Sequence, residues 1–445
     1  MSKRNLILFT ALAGCAATDN ATIEQGVTCP VPDIDPARSL AVTDPEVLAK
    51  FSFERVMTAI HKSGHNTGTV RRIYRDWMNT FGNCDDPEID PNGYGIRCPR
   101  VETQFADFDP FAPTGPRFVP LAIVNRFDLA PTSGADCGEH RIVFGLRDSP
   151  LDRGFIIFEA RLPNPDPAAG LTGCVGVAEW WAALTNEPSV AKRAAKLERL
   201  YFTGITSGGR TYEPVVTASH YGLAAGTPEF GAGQIRTNFF ADSREWHLRE
   251  FKLRKPCAAD ESCKLSAAHV PVKANPADEL FRGTHERAPA FQAAFMTQIK
   301  SLSRSAARIG LSTSNDHNEF ESSATIPANL IYRNFTEDTF KAKIAAAIEN
   351  PNLSADNILD RATTQTCGGC HQASNGKDLG DGVHWPISRG FVHIDESSNL
   401  SEALTKVFLP RRATVLENFL EGQCIQVTIP DDGLTLSGGP LDAPN

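Results

Sequence analysis

The region from Arg117 to Leu162 sets the fold class, because three runs rich in Val, Ile and Phe follow one another there with a period of two. The runs are Leu121-Ala122-Ile123-Val124-Asn125, R-I-V-F-G-L over 141–146 and F-I-I-F-E-A-R-L over 155–162. Clusters of Gly, Pro, Ser and Asp separate them. Strands that follow one another through such short links favour antiparallel pairing.

Helices and further strands are expected on the C-terminal side of these runs. The segment from W-W-A-A-L through A-K-L-E-R-L predicts a helix over 178–202, and two strands joined as a hairpin are predicted at 234–240 and 246–253. An extended piece over 269–273 and a helix over 288–307 follow. The predicted class is therefore α+β, an antiparallel sheet with helices packed at its sides.

The N-terminal side of the strands is predicted to be helical. Asp44-Pro45 supplies a cap and a proline at the first helical position, and apolar residues at helical spacing continue the helix to Ile60. A second helix is predicted over 67–81. His61 and His65 are four residues apart, so they form either a metal pair or a helix end and the loop after it.

A different motif, Cys367-Gly368-Gly369-Cys370-His371, lies towards the C-terminus. Two cysteines three apart with a histidine after the second form the C-x-x-C-H pattern of covalent c-type haem attachment. Each thiol adds across one vinyl group of the porphyrin, and the histidine becomes the proximal iron ligand. The motif therefore predicts one haem c held by Cys367, Cys370 and His371. The alternatives are a redox-active disulfide, a structural bridge and half of a zinc site, the last weakened because the sequence has no second C-x-x-C.

The residues around the motif have the order helix, C-x-x-C-H, loop, C-terminal helix. Ser354 caps a predicted helix that runs into the motif, a Gly-rich polar loop spans 372–382, and a helical segment over 401–421 follows, broken or kinked at Pro410. Over residues 337–424 this order resembles a small class I cytochrome c domain. The resemblance implies a small all-α haem domain that follows the α+β domain of residues 44–336.

A class I cytochrome c domain normally supplies a methionine as the sixth iron ligand. None of the methionines follows His371; they are Met1, Met57, Met78 and Met296. The candidates inside the domain are His393, in an apolar extended stretch, and His384, at the edge of the Gly-rich loop. We predict a low-spin, low-potential haem with His393 favoured over His384. The alternatives are a core His393 bonded to a backbone carbonyl, a five-coordinate iron, or a ligand such as Met296.

The first residues have the features of an export signal. Lys3 and Arg4 precede a short apolar run, and Leu12-Ala13-Gly14-Cys15 resembles a lipobox, the processing site of bacterial lipoproteins. We expect a signal over 1–15, a lipid anchor on Cys15 as the only membrane attachment, a tether over 16–43 and a loose tail over 425–445. An ordinary secretory signal is the alternative. Both place the mature protein outside the cytoplasm, and the lipobox predicts a periplasm-facing or surface lipoprotein of the bacterial cell envelope, with the outer membrane favoured.

Eight cysteines remain besides Cys15, Cys367 and Cys370. If the protein is exported, this even number suits disulfides, which form in an oxidising compartment. If Cys367 and Cys370 hold haem, no cysteine is left over. The expected bridges are Cys84–Cys98 and Cys257–Cys263 as local loop clips, Cys137–Cys174, and Cys29–Cys424 between the start and the end of the mature chain.

Charge restricts the class of partner. The 44 Lys and Arg residues against 53 Asp and Glu residues give a net charge of −9, and no dense basic run is present, so no nucleic-acid partner is expected. Arg mixes with Glu or Asp in the stretches 125–128, 138–141, 233–238 and 249–252. Such stretches form either a salt-bridged solvated or interdomain face, or a pocket wall for an anionic substrate or for haem propionates.

Three classes of function follow. The large domain has no G-x-S-x-G, H-E-x-x-H or phosphate loop, and its arrangement resembles uncharacterised exported bacterial proteins that end in a cytochrome domain. The first hypothesis is a lipid-anchored monohaem electron carrier that serves redox partner proteins of the envelope. The second is a haem-dependent, peroxidase-like oxidoreductase with a substrate pocket in the large domain. The third is a non-haem lipoprotein whose C-x-x-C is a disulfide.

Overall fold

A computed structural model describes residues 31, 33–82, 101–149, 153–223, 231–241, 245–255, 264–270, 278–313 and 331–428. Within these ranges helices accompany one large antiparallel sheet, which confirms the α+β prediction. The helices are α1 Pro36–Ser39, α2 Pro45–Leu48, α3 Phe53–Ser63, α4 Val70–Asn79, α5 Val175–Ala182, α6 Val190–Phe202, α7 Asp278–Arg282, α8 Ala288–Met296, α9 Ile299–Leu302, α10 Asp338–Ala347, α11 Ala355–Thr363 and α12 Leu409–Thr428.

The large sheet has seven strands in the order β1-β2-β3-β4-β7-β8-β9, and every neighbouring pair is antiparallel. A separate two-stranded hairpin is formed by β5 and β6. The strands are β1 Ala41–Val42, β2 Arg117–Arg126, β3 Asp136–Arg147, β4 Gly154–Pro163, β5 Ile205–Ser207, β6 Arg210–Tyr212, β7 Gln234–Ala241, β8 Glu245–Arg254 and β9 Ser266–Val270.

The two faces of the large sheet differ, because successive residues of a strand point to opposite sides. One face is apolar and buried, with Ile156, Phe158 and Phe251 among its residues. The other, here called the cavity face, carries charges at alternate positions. Its charged residues on β2, β3, β4, β7 and β8 are Arg126, Asp136, Glu139, Arg141, Glu159, Arg161, Arg236, Glu250 and Lys252.

Helices of the N-terminal half cover the apolar face. The Phe53 ring of α3 packs against Phe118, Phe144 and Phe158, with ring centroids 5.1 to 6.1 Å apart. Trp77 of α4 packs edge-on against Phe251 at 5.6 Å. Aromatic pairs at such distances stabilise a core beyond the area that they bury, so this face forms the main core of the protein.

The C-terminal part of the chain contributes to two cores. A second hydrophobic cluster joins residues from α7 to α11 with Leu379 and Trp385. By contrast, α12 packs on the sheet-side core, where Phe419 lies 4.7 Å from Phe127. The helices of 278–302, which the sequence assigned to the large domain, therefore share a core with the motif-bearing segment.

Three predicted helices are shorter than expected. The helix from Pro45 breaks after α2, and Ser52 caps α3 by accepting a hydrogen bond from Arg55 N at 3.2 Å. The segment 178–202 divides into α5, which ends at Ala182, and α6, which begins at Val190 behind a Ser189 cap. The segment 288–307 divides into α8 and α9. In the C-terminal segment the predicted break at Pro410 is replaced by a change from π-helix, Ala403–Phe408, to α-helix.

The predicted tether is wrong for residues 33–43. Ile34, Leu40 and Val42 are buried, α1 precedes β1, and β1 pairs with β2 at the edge of the sheet. Ile34 N also donates to Glu417 of α12 at 2.8 Å. Local Pro-rich composition suggested an extended linker, but the strand pairing and burial place this segment in the folded body.

Cys137 and Cys174 are joined by a disulfide, which links β3 to the entrance of α5. Cys15, Cys29, Cys84, Cys98, Cys257 and Cys263 lie outside the described residues, as does the side chain of Cys424. Within the described ranges, none of the helices combines the length and the apolar character that a bilayer crossing requires.

Candidate functional site

A cavity of about 1360 Å³ lies between the cavity face of the sheet and the C-terminal segment. Strands β2, β3, β4, β7 and β8 provide one wall. Cys370 and His371 of the sequence motif and Trp385, Val392 and His393 of the loop after it provide the facing wall. The structure therefore brings the motif against the large domain.

Local hydrogen bonds position the motif. Ser354 and Asn357 form a capping box at the start of α11, so the predicted Ser354 cap is confirmed. After α11 the chain makes a π-helical turn over Gly369–Ala373, a geometry frequent at functional sites. A Cβ atom on Gly369 would lie 1.7 Å from Thr363 O. Glycine is thus required here because the backbone approaches the end of α11, a packing reason that the motif alone does not reveal.

His371 is held in one orientation. Its Nδ1 lies 3.0 Å from Phe391 O, so Nδ1 carries the proton and Nε2 has the lone pair. Asn238 of β7 donates to the same carbonyl at 3.4 Å, which ties the large domain to this interaction. A metal-binding histidine usually donates its second nitrogen to such a group. His371 therefore has the tautomer that an iron ligand needs.

His393 lies beside the motif. Its Nε2 is 3.3 Å from Cys370 Sγ, and its Nδ1 is 3.0 Å from Ser401 Oγ. The His371 and His393 rings are 4.6 Å apart between centroids. The expected alternative for His393, a bond to a backbone carbonyl, is not the contact that the structure shows.

Cys370 contacts His393, and His393 in turn contacts Ser401, an order that resembles a nucleophile, a base and an orienting group. Burial, followed by the neighbouring Cys367, raises the pKa of Cys370 to about 12. Burial also lowers the pKa of His393 well below its usual value. Both groups are therefore neutral near pH 7, whereas a nucleophilic cysteine needs the thiolate. The geometry does not favour cysteine hydrolase chemistry.

The other residues predicted to bind haem or metal lie in different parts of the structure. His384 is exposed and does not line the cavity, and Met296 lines a smaller cleft between α8 and α10. Cys367 packs against the sheet-side core, close enough to Arg236 to affect its pKa. His61 stands in the last turn of α3 and contacts Gly68 O at 2.9 Å, while His65 lies beyond the helix end. In the described part of the chain, no group of three or more His, Cys, Asp or Glu has the arrangement of a metal site.

Charges on the cavity face are paired across strands. Arg126 faces Glu139, Arg141 faces Glu159, and Arg236 faces Glu250 in the sheet register. Arg141 bonds both carboxylates beside it, with its Nη1 3.1 Å from Glu159. Burial alone would raise the pKa of Glu139, but Arg141, Arg161 and Arg126 outweigh it and lower that pKa to about 2. The stretches in which Arg mixes with Glu or Asp are thus salt-bridged and also form part of a cavity wall.

The charged side chains that line the cavity do not balance. Seven cations line it, five on the sheet and two on α12: Arg126, Arg141, Arg161, Arg236, Lys252, Arg411 and Arg412. Five carboxylates oppose them: Asp128, Asp136, Glu139, Glu159 and Glu250. Among the described lining residues the surplus is two positive charges, which equals the charge of the two propionates of a haem. The tautomer of His371 and the surplus positive charge of the cavity suit a haem, and of the two motif cysteines Cys370 lines the cavity whereas Cys367 packs beside it against the sheet-side core.

Several residues of the site were absent from the sequence predictions. Ser401 and Phe391 act through Oγ and a backbone carbonyl, which no motif marks. Arg411-Arg412 leaves a signal in the sequence, since two adjacent arginines interrupt the apolar pattern of the last helix. Comparison with family models, curated proteins and solved structures gives no match to this chain. The site is therefore interpreted from its own geometry.

Proposed function

We propose that this chain is an exported monohaem c-type protein of the bacterial cell envelope that transfers electrons between redox partner proteins. One observation carries the proposal. The Nδ1 of His371 is fixed by Phe391 O, so its Nε2 is left for iron, next to Cys370 on the cavity wall.

The chain contributes attachment, orientation and charge to this function. Cys367 and Cys370 would hold the haem as thioethers and His371 would be the proximal ligand, in a cytochrome c-like segment over 337–424. Arg and Lys side chains of the cavity would balance the propionates. When bound, the haem supplies one-electron redox chemistry. The sheet of the large domain then serves as a wall of the haem site as well as a docking module.

The test is a mass measurement. Protein made with the c-type haem maturation machinery should carry one added haem that survives acid extraction. The Cys367→Ser/Cys370→Ser variant should lose that mass. His384→Ala serves as the control and should keep it, because His384 is exposed and outside the cavity. A double variant that still carries covalent haem, or a wild-type chain without it, would refute the proposal.

A second candidate is a haem-dependent oxidoreductase. The cavity of about 1360 Å³ is larger than the roughly 300–1,000 Å³ of most small-molecule sites. The additional space would admit a substrate beside the haem. High-spin iron together with peroxide-dependent turnover favours the enzyme, whereas reversible reduction without ligand binding favours the carrier.

A further inference from the structure

Arg412 of α12 is a buried cation with an incomplete partner. Its side chain is only 11% exposed and lines the cavity. The ion pair it makes with Asp128 has an Nε–Oδ1 distance of 3.8 Å, which is beyond hydrogen-bonding range.

Asp128 is already used by another guanidinium. Arg126 donates three hydrogen bonds to the Asp128 carboxylate, at 2.9, 3.2 and 2.9 Å. Burial and repulsion from Arg126 lower the pKa of Arg412 to about 9, although Asp128 opposes this shift. One carboxylate is therefore shared between two buried arginines and is bonded to only one of them.

The next residue along the helix adds to the imbalance. Arg411 is half-buried and lines the same cavity, and within the described ranges it forms no ion pair. A cation removed from water costs free energy unless an anion or several hydrogen bonds compensate it. The planar guanidinium fork matches a carboxylate, which it binds with two parallel hydrogen bonds.

From these contacts we infer that Arg412, with Arg126 and Arg411 beside it, forms a binding site for a carboxylate ligand inside the cavity. The carboxylate has two possible sources with the same chemistry, a propionate of the proposed haem or a free anionic substrate. The inference does not depend on the haem assignment, because the haem-free chain presents the same arginines.

The experiment measures the binding of succinate, as a carboxylate probe, at constant ionic strength. It uses calorimetry on the full-length Cys367→Ser/Cys370→Ser chain and on the wild-type holoprotein. Succinate should bind the haem-free chain, and Arg412→Gln should weaken binding at least about tenfold, because a hydrogen-bonded charge pair is lost. Arg389→Gln is the matched control, since Arg389 pairs with Asp395 outside the cavity lining and should leave binding unchanged.

The two sources give different results. If the carboxylate is a haem propionate, the holoprotein should not bind succinate; if it is a free substrate, the holoprotein should bind it with the same dependence on Arg412. If Arg412→Gln does not fold, Arg411→Gln and Arg412→Lys are measured instead, and at least one should weaken binding. Succinate binding that none of these changes alters, or no binding to either form of the protein, would overturn the inference. Failure of covalent haem attachment would not overturn the inference, because the haem-free chain presents the same arginines.

Discussion

The Sγ of Cys370 lies 3.3 Å from Nε2 of His393, and this contact connects the C-x-x-C-H motif to the loop that follows it. The Oγ of Ser401 holds the opposite nitrogen of the same ring at 3.0 Å. Conversion of the thiol to a thioether removes the S–H proton, so Nε2 of His393 would lose this partner. The thioether chemistry of haem attachment would therefore free Nε2 of His393, the predicted sixth iron ligand, beside the haem.

The first prediction concerns this ligand. His393→Ala should convert a low-spin haem to high-spin in absorption and electron paramagnetic resonance spectra, and His384→Ala should not, because of these two histidines only His393 lines the cavity. Two metal–nitrogen bonds of about 2 Å need more space than 4.6 Å between ring centroids, so ligation by both histidines requires a shift of the His393 ring. A spectrum that stays low-spin in both single variants and in the double variant would contradict the prediction.

The second prediction compares two glycines. Gly369→Ala should lower the free energy of unfolding by about 1 to 3 kcal/mol or more, because its Cβ would collide with Thr363 O. Gly422→Ala in α12 should raise it by about 0.5 to 1 kcal/mol, since a Cβ atom there would meet no atom within 4 Å outside its own turn of helix and alanine favours a helix. Urea unfolding measures both. Equal effects of the two changes would show that the close approach at Gly369 is not formed.

The third prediction tests how the last helix is anchored. Phe419→Ala should destabilise the protein by about 3 to 5 kcal/mol, because Phe419 is buried against Phe127 of the large domain. Ile387→Ala is the control; Ile387 is 50% exposed, and its effect should stay within about 0.5 kcal/mol. If α12 did not share the main core, denaturant unfolding would show a separate transition for the C-terminal segment.

The fourth prediction is a pH dependence of stability. Burial, followed by the nearby His220, lowers the pKa of His140 to about 3, and Trp181 Nε1 donates to its Nδ1 at 3.1 Å. Between about pH 6.5 and pH 3 the unfolded chain binds a proton at this residue and the folded chain does not, so stability falls as the pH falls.

The titration of His140 should lower the free energy of unfolding by about 2 kcal/mol between pH 6.5 and 5. His140→Gln keeps an acceptor for Trp181 but does not titrate, so it should reduce the slope of unfolding free energy against pH. Equal slopes in the wild type and the variant would mean that His140 gains its proton in the folded state.

The fifth prediction follows from the sequence of the first residues. Cys15→Ser should move the protein from the membrane pellet to the soluble periplasmic fraction, because the lipobox predicts that the lipid is attached to that sulfur. The haem content should not change. Pelleting that is the same in wild type and variant would argue against the lipobox and for an ordinary secretory signal.

The sequence by itself determined the features that depend on neighbouring residues. The period-two runs between Arg117 and Leu162 predicted adjacent antiparallel strands, since short links leave few other pairings. Ser354 predicted the start of α11, because a helix cap is formed within one turn. The five residues from Cys367 to His371 suggested haem chemistry through their spacing alone.

Only the tertiary structure decided which distant residues meet. It placed Arg412 of α12 beside Arg126 of β2, put His393 in the cavity and left His384 outside it, and packed residues 33–43 on the sheet. These contacts join segments that are far apart in the chain. Their free energy comes from burial and charge pairing across the interface between those segments, which no local pattern of side chains contains.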